Sequence, residues 1–342
     1  MILYYLLFLI IVVSLFIYYL LLPRRSIDIV ITWVENTKDF QDEKAFWEQK
    51  HNYVSNNQVE NKRRYQDNEE LKYTLRSIVK HFPNYRYIYL VTKDGQIPAY
   101  VTKNHPKLKI VHHSEFIPHE YLPTFNSIVI ECFIHRIPNL TENYIYMNDD
   151  TMFLRDLSID FFIDPLSDKP YSLYSLDNIQ YNENIVNEID FEKYDFLQLL
   201  AYNNKILNDI LVQNTFIRHD ISHIPKVYNK NFDYRLEKIF KEYYIPGYET
   251  NLFDLTCASK FRKNHNLCFV SILKEYLYVY LFDSSFKKVS HLYFDSYRND
   301  FTKLNDGFQN DFMCMNDINE QDMIRYKNCM AYLYPKKCYL EK

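Results

Sequence analysis

Asn143-Tyr144-Ile145-Tyr146-Met147-Asn148-Asp149-Asp150 is an aromatic and aliphatic run that ends abruptly in an amide and two carboxylates. Such a run reads as a strand, and the polar trio as its exit. Upstream, Phe125 to Ile137 reads as a helix with Ile128, Val129, Cys132 and Phe133 on one face. Leu108 to His112 and Tyr85 to Thr92 read as strands, the second turning at Lys93-Asp94-Gly95. Before them, Leu71, Leu75, Ile78, Val79 and Phe82 recur at helical spacing. Asp67 and Glu70 form a capping-box pattern ahead of that helix, and Pro83 stops it. Ile27 to Val34 is a β-branched strand. Strands alternating with helices predict an α/β fold, a mainly parallel sheet flanked by helices. Ligands of such sheets bind beyond the carboxyl ends of the strands, where Asn148, Asp149 and Asp150 fall.

Past Asp150 the periodicity weakens. Ile206 to Phe216 and Tyr234 to Tyr244 read as helices, and Leu267 to Phe282 as a buried one. The expected layout is an α/β core over 27–150, a largely helical insertion over 151–260, and a C-terminal part, 261–342, that completes the site.

Composition narrows the classes. The 342 residues include only 3 glycines, where average usage gives about two dozen. Gly95, Gly247 and Gly307 lie far apart, which excludes a Walker A loop and a dinucleotide fingerprint. The net charge of −4 does not favour nucleic acid, and no nucleic-acid partner is expected. Met1 to Leu22 is almost wholly apolar and stops at Pro23-Arg24-Arg25. About twenty apolar residues in helix span the ~30 Å hydrocarbon layer, so an N-terminal transmembrane helix over 1–23 is expected, tethering a single-pass membrane protein. Its orientation stays open, because Arg24 and Arg25 pull their own side toward the cytosol. The six cysteines form no C-x-x-C pair, so zinc is not expected. Their spacing is compatible with free thiols or with Cys257–Cys268 and Cys329–Cys338 pairs.

Several residues have chemistry to offer. Asp149 and Asp150 are hard oxygen donors suited to Mg²⁺ or Mn²⁺ on a diphosphate, or simply a polar strand exit. Asp28, in an apolar strand, needs a partner, a ligand or a solvated rim. His223 falls between helical stretches and suits a general base, though it is one of 11 histidines. Arg262, in Lys260-Phe261-Arg262-Lys263, suits bidentate phosphate binding. Asn316-Asp317 ends another apolar run, Phe312-Met313-Cys314-Met315.

The ordered set resembles the Stealth family of sugar-phosphate transferases, which includes capsular polysaccharide phosphotransferases and the catalytic subunit of GlcNAc-1-phosphotransferase. The first of four family regions is similar to Ile27-Asp28-Ile29-Val30-Ile31-Thr32-Trp33-Val34. The second runs from Arg64 to Asp150, through Asp67-Asn68-Glu69-Glu70-Leu71, Gly95-Gln96-Ile97-Pro98 and Leu122-Pro123-Thr124-Phe125-Asn126-Ser127. The third resembles His223-Ile224-Pro225 with Phe261-Arg262, and the fourth Phe312 to Asp317. The resemblance implies a nucleotide-sugar-transferase-like fold. It also implies transfer of a hexose or N-acetylhexosamine 1-phosphate from a UDP-sugar to an acceptor-glycan hydroxyl, with release of UMP. It carries catalytic roles to Asp28, Asp149, Asp150, His223 and Arg262, with a divalent cation on Asp149 and Asp150. It carries substrate contacts to Trp33, Arg76, Gln96, Asn126, Asn148, Asn316 and Asp317. The implied partners are a nucleotide-sugar donor, a glycan acceptor and, through the N-terminal helix, a membrane. Two alternatives are a metal-dependent glycosyltransferase that releases UDP, and an inactive membrane-tethered sugar-binding protein. The second is motivated by departures in the first region, where Asn36 replaces a glycine and Lys38 reverses a charge.

Overall fold

The computed structural model of the protein describes residues 2–21, 25–54, 65, 67–180, 196–213, 215, 217–220, 223–245, 249–262, 269–294, 309–316, 318 and 320–342. In chain order the elements are α1 (Ile2–Leu21), β1 (Asp28–Trp33), α2 (Lys38–Lys50), α3 (Glu70–His81), β2 (Ile88–Thr92), β3 (Leu108–His112), α4 (Ser127–Phe133), β4 (Asn143–Asn148), β5 (Thr151–Phe153), α5 (Ile159–Phe162) and β6 (Ser172–Tyr174). The chain continues with β7 (Leu176–Gln180), α6 (Phe196–Leu211), β8 (Ile217–Asp220), β9 (Lys226–Asn229), α7 (Lys230–Glu242), α8 (Leu252–Cys257), α9 (Phe269–Phe282), β10 (Phe286–Lys288), β11 (His291–Phe294), β12 (Phe312–Met315) and α10 (Met323–Leu333).

The main sheet runs β3-β2-β1-β4-β9. Its first four strands are parallel, and β9 pairs antiparallel with β4. The sheet is therefore mixed, with one antiparallel edge. Both faces of β1 and β4 are covered, which explains their near-continuous apolar runs. Val30, Tyr144 and Tyr146 face a core with Val129, Phe232 and Leu277, while Ile29, Ile31, Ile145 and Met147 face Leu71, Leu75 and Ile78 of α3. A second sheet, β11-β12-β5, begins directly after the Asp149-Asp150 turn. The stretch 151–260 supplies strands as well as helices, and β9 belongs to the main sheet.

The capping expectation changes, and other local details are fixed. The helix α3 begins at Glu70, after Glu69 in the left-handed region with φ 68°, and Asp67 is not its N-cap. Instead the Asp67 carboxylate accepts from the Glu69 N–H at 2.7 Å. Asn36 does not take a positive φ, whereas Gly95 does, at +83°, where no neighbouring atom would meet a Cβ; conformation alone favours glycine there. Lys38 points outward and pairs with Asp42 at 3.2 Å. Cys132, Cys257, Cys314, Cys329 and Cys338 are free thiols, so Cys329 and Cys338 are not bridged; Cys268 lies outside the described residues.

The expected membrane anchor is corrected. Residues Ile2–Leu21 are helical, but among the described residues no helix is long and apolar enough to cross a membrane. A single-pass anchor is not supported.

Candidate functional site

The order β3-β2-β1-β4 reverses direction between β1 and β4, and in open α/β sheets a crevice forms outside the carboxyl ends at such a point. β1 delivers Thr32 and Trp33 there, and β4 delivers Asn148, since Thr32 pairs with Asn148 in register. Asp149 and Asp150 form the turn that follows. The Thr74 hydroxyl of α3 lies 2.6 Å from the Asp149 carbonyl and 3.0 Å from that of Thr151, pinning the turn from below. On the other side, the Met315 N–H donates to the Asp150 carbonyl at 2.9 Å.

Carboxylates crowd this turn. Burial, then the charges of Asp150, Glu70 and Asp67, hold Asp149 well above the usual carboxylate range. Burial pushes Glu70 up to about 7, against hydrogen bonds from the Asn68 amide and backbone. Asp67 is also raised by burial, against bonds from Glu69, Tyr100 and Trp33. The Trp33 indole N–H is buried and makes no well-formed hydrogen bond, although it faces Asp67 and lowers its pKa. Trp33 is thus a wall of the core beneath the site, not an open stacking face.

A second wall comes from α4. Asn126 caps this helix, accepting from the Ile128 N–H at 3.1 Å, and its amide reaches the Phe261 carbonyl at 3.4 Å. That places Arg262 beside α4, where it donates to the Ser127 hydroxyl at 2.7 Å. One turn along lies Glu131, raised by burial and opposed by the charges of Lys226 and Arg262 and a hydrogen bond with Tyr146. The Tyr146 hydroxyl is 3.1 Å from the Asn148 side-chain oxygen and 3.3 Å from the Thr32 hydroxyl. Arg262 and Asn148 are therefore joined through Glu131 and Tyr146.

The third wall is the edge strand β9. Its pairing with β4 reaches Tyr146–Lys226, and His223 lies three residues before Lys226, ahead of the paired strand. His223 is exposed, with its ring 5.7 Å from that of Tyr293. The Asn316 amide donates to the Tyr293 hydroxyl at 2.6 Å. Asp317 lies outside the described residues.

Other expected residues go elsewhere. Asp28 starts β1, at the amino end of the sheet. It is fully buried and accepts from Arg86 Nε at 2.9 Å and Nη2 at 2.5 Å, and from the N–H groups of Thr141 and Tyr87 at 2.8 and 3.1 Å. It ties loops together at the end away from Asp149. Arg76 makes a two-pronged pair with Glu341, at 2.8 Å in each arm, and caps the Tyr334 carbonyl. Gln96 spends its amide on the backbone of Glu35, holding the loop after β1. It shapes the rim without facing an open cleft. The acidic cluster of Asp67 and Glu70 and the half-buried Glu131 were not expected as site groups. Glu131 sits one turn beyond the Leu122-to-Ser127 motif, and its helical position gave no sequence signal.

Could this site hold a divalent cation? Among the described residues no three His, Cys, Asp or Glu groups are arranged to ligate one. Two carboxylates at the turn fit a cation that takes its remaining ligands from phosphate and water. Burial first, and the neighbouring carboxylates second, raise Asp149, and a bound cation would offset both.

Residues 64–169 match Stealth protein CR2, conserved region 2. Along 288 residues the chain is 30% identical to the capsular polysaccharide phosphotransferase of Actinobacillus suis, covering 81% of this chain and 70% of that protein. It is 29% identical to the capsular polysaccharide phosphotransferase cps1A of Actinobacillus pleuropneumoniae, covering 81% and 72%. Over 138 residues it is 44% identical to eps5J of Streptococcus thermophilus, covering 40% and 57%. Among solved structures, the bifunctional glycosyltransferase WbbM superposes with a TM-score of 0.43 at 11% identity, covering 92% of this chain and 52% of that one. The galactosyltransferase LgtC, in complex with donor and acceptor sugar analogs, gives 0.37 at 9% identity, covering 90% and 96%. These loose likenesses place no residue.

Proposed function

The chain belongs to the Stealth family of sugar-phosphate transferases, and from that membership we propose that it carries a hexose or N-acetylhexosamine 1-phosphate from a UDP-sugar to a hydroxyl of an acceptor glycan, releasing UMP. The observation that best supports this reading is that Asp149 and Asp150 follow β4 at the carboxyl end of the parallel strands, while Arg262 is held against α4 by Ser127. Phosphoryl transfer is largely positioning and charge neutralisation, and this end of the sheet offers both. Arg262 binds oxygens of the transferring phosphate, and Glu131 and Ser127 fix its direction. His223, exposed beside the turn, takes the acceptor hydroxyl proton. Asn148 and Asn316, with Asp317 next in sequence, contact the sugar nucleotide. Gln96 and Asn126 hold the rim and the Arg262 wall in place. Asp28 and Arg76 have no part in the chemistry. Asp149 and Asp150 would hold a Mg²⁺ or Mn²⁺ ion, which supplies charge neutralisation on the diphosphate.

The test is the nucleotide product. Purified protein incubated with a panel of UDP-sugars and a hydroxylated glycan should release UMP, separated by chromatography. UDP would mean cleavage of the sugar–phosphate bond and would overturn the proposal. A chelator should stop the release, and added Mn²⁺ or Mg²⁺ should restore it.

A further inference from the structure

The last turn of α2 carries cations and aromatic faces that no carboxylate among the described residues answers. Earlier on this helix the acids are matched: Asp42 with Lys38 at 3.2 Å, Glu48 with Lys44 at 2.6 Å and Glu43 with Lys93 at 2.6 Å. At its end, Trp47 stacks on His51 with ring centroids 5.6 Å apart. Lys50 Nζ lies 4.3 Å from the Trp47 ring centroid, and Lys260 Nζ lies 4.9 Å from it. Lys260 donates to the carbonyls of Leu122 and Pro123, at 2.6 and 3.3 Å. Neither lysine makes an ion pair among the described residues. Burial and the Lys50 charge together lower the Lys260 ammonium below its ordinary value. Phe46 beside them is 58% exposed. Two ammonium groups converging on one indole repel each other, and a bound anion removes that penalty.

This patch is continuous with the site. Tyr53, just beyond α2, stacks on Phe261 with centroids 4.4 Å apart, and its hydroxyl donates to the Arg262 carbonyl at 2.9 Å. Phe261 also stacks on Phe125, which precedes the α4 cap.

We propose that Phe46, Trp47, Lys50, His51 and Lys260 form a binding surface for an acceptor glycan that already carries phosphodiester linkages. Sugar rings present apolar C–H faces to aromatic side chains, while each phosphodiester presents one negative charge to the lysines. The inference rests on the transfer reading above. Each such transfer forms a P–O bond to the acceptor oxygen, breaks the phosphoanhydride to UMP and releases the hydroxyl proton. Every turnover therefore adds one anionic linkage, and a chain that has been extended before suits this surface better than a fresh acceptor. A neutral glycan engages only the aromatic half, and a bare polyanion only the cationic half.

The experiment uses the full chain and three labelled probes: a synthetic hexose oligomer of six phosphodiester-linked units, a dextran oligomer of similar length, and inorganic polyphosphate. The phosphodiester oligomer should bind about tenfold more tightly than either control, and Lys50→Glu should remove roughly that advantage. Trp47→Leu, which keeps an apolar side chain at a half-buried position, should weaken it similarly. UMP release with a single-sugar acceptor should be unchanged in Lys50→Glu. Equal binding by wild type and Lys50→Glu, or polyphosphate binding as tight as the oligomer, overturns the surface. Failure of UMP release on every acceptor, with oligomer binding intact, counts against the transfer reading and not against the surface.

Discussion

The two ends of one sheet hold carboxylates in opposite conditions. At the amino end, Asp28 is sealed from water, yet both oxygens are met by Arg86 and by backbone N–H groups. At the carboxyl end, Asp149 is half-buried with Asp150, Glu70 and Asp67 around it and no cation beside it among the described residues. The first arrangement is complete within the chain. The second has no such answer among the described residues, which is what the proposed cation would supply. Burial of an acid is therefore a poor guide to function, and the informative property is whether the chain itself supplies the opposite charge.

The sharpest way to break this contrast is to neutralise one acid at each end. Asp150→Asn should lower nucleotide release by about a thousandfold or more, because the site loses a ligand for transition-state charge. The thermal midpoint of that variant should hold or rise, since like-charge repulsion falls. Asp28→Asn should do the reverse. It should lose on the order of 3 kcal/mol of stability in urea titration, by stripping Arg86 of its partner, with kcat of the folded protein within about twofold of wild type. A catalytic collapse in Asp28→Asn at unchanged stability would erase the distinction.

A smaller effect concerns protons. Glu70 ionises near 4.5 when unfolded and is held up to about 7 in the fold. The folded state thus binds this proton more tightly. Its contribution to stability is fully present below pH 4.5, declines as pH rises toward 7, and is spent above it. Without added metal, the urea midpoint should fall across that window by the equivalent of roughly 2–3 kcal/mol, and Glu70→Gln should flatten the slope. The smallest effect is expected at the wall. Glu131→Gln should lower kcat/KM by about tenfold through misdirection of Arg262 and Tyr146, with little change in thermal midpoint.

Much of the sheet was legible because its signals are local. The runs at Ile27 to Val34, Tyr85 to Thr92, Leu108 to His112 and Asn143 to Met147 all became strands, and the periodic stretch behind Asp67 became α3. Four-residue β9 was not legible, since Lys226–Asn229 is too short to show alternation against its neighbours. The candidate site was read less evenly. Asp28 and Arg76 looked available because their partners, Arg86 and Glu341, lie far along the chain and no local pattern points to them. Asp67 and Glu70 fit a capping-box pattern, which is local and carries no information about their proximity to Asp149. Thr141 is another distant partner: its hydroxyl accepts from the Asp28 N–H at 2.9 Å.

The antiparallel direction of β9 has a consequence for how the site is made. The chain departs from the crevice at Asp150 and comes back to it at His223, because β9 runs against β4. Between these two points the described chain builds strands and helices of its own, and Phe153, Phe162 and Leu173 pack into the same core as Ile29, Ile31, Ile145 and Met147. The spacing of Asp150 and His223 therefore depends on how that folded excursion packs, so a change in its core is felt at both points where it leaves and rejoins the sheet.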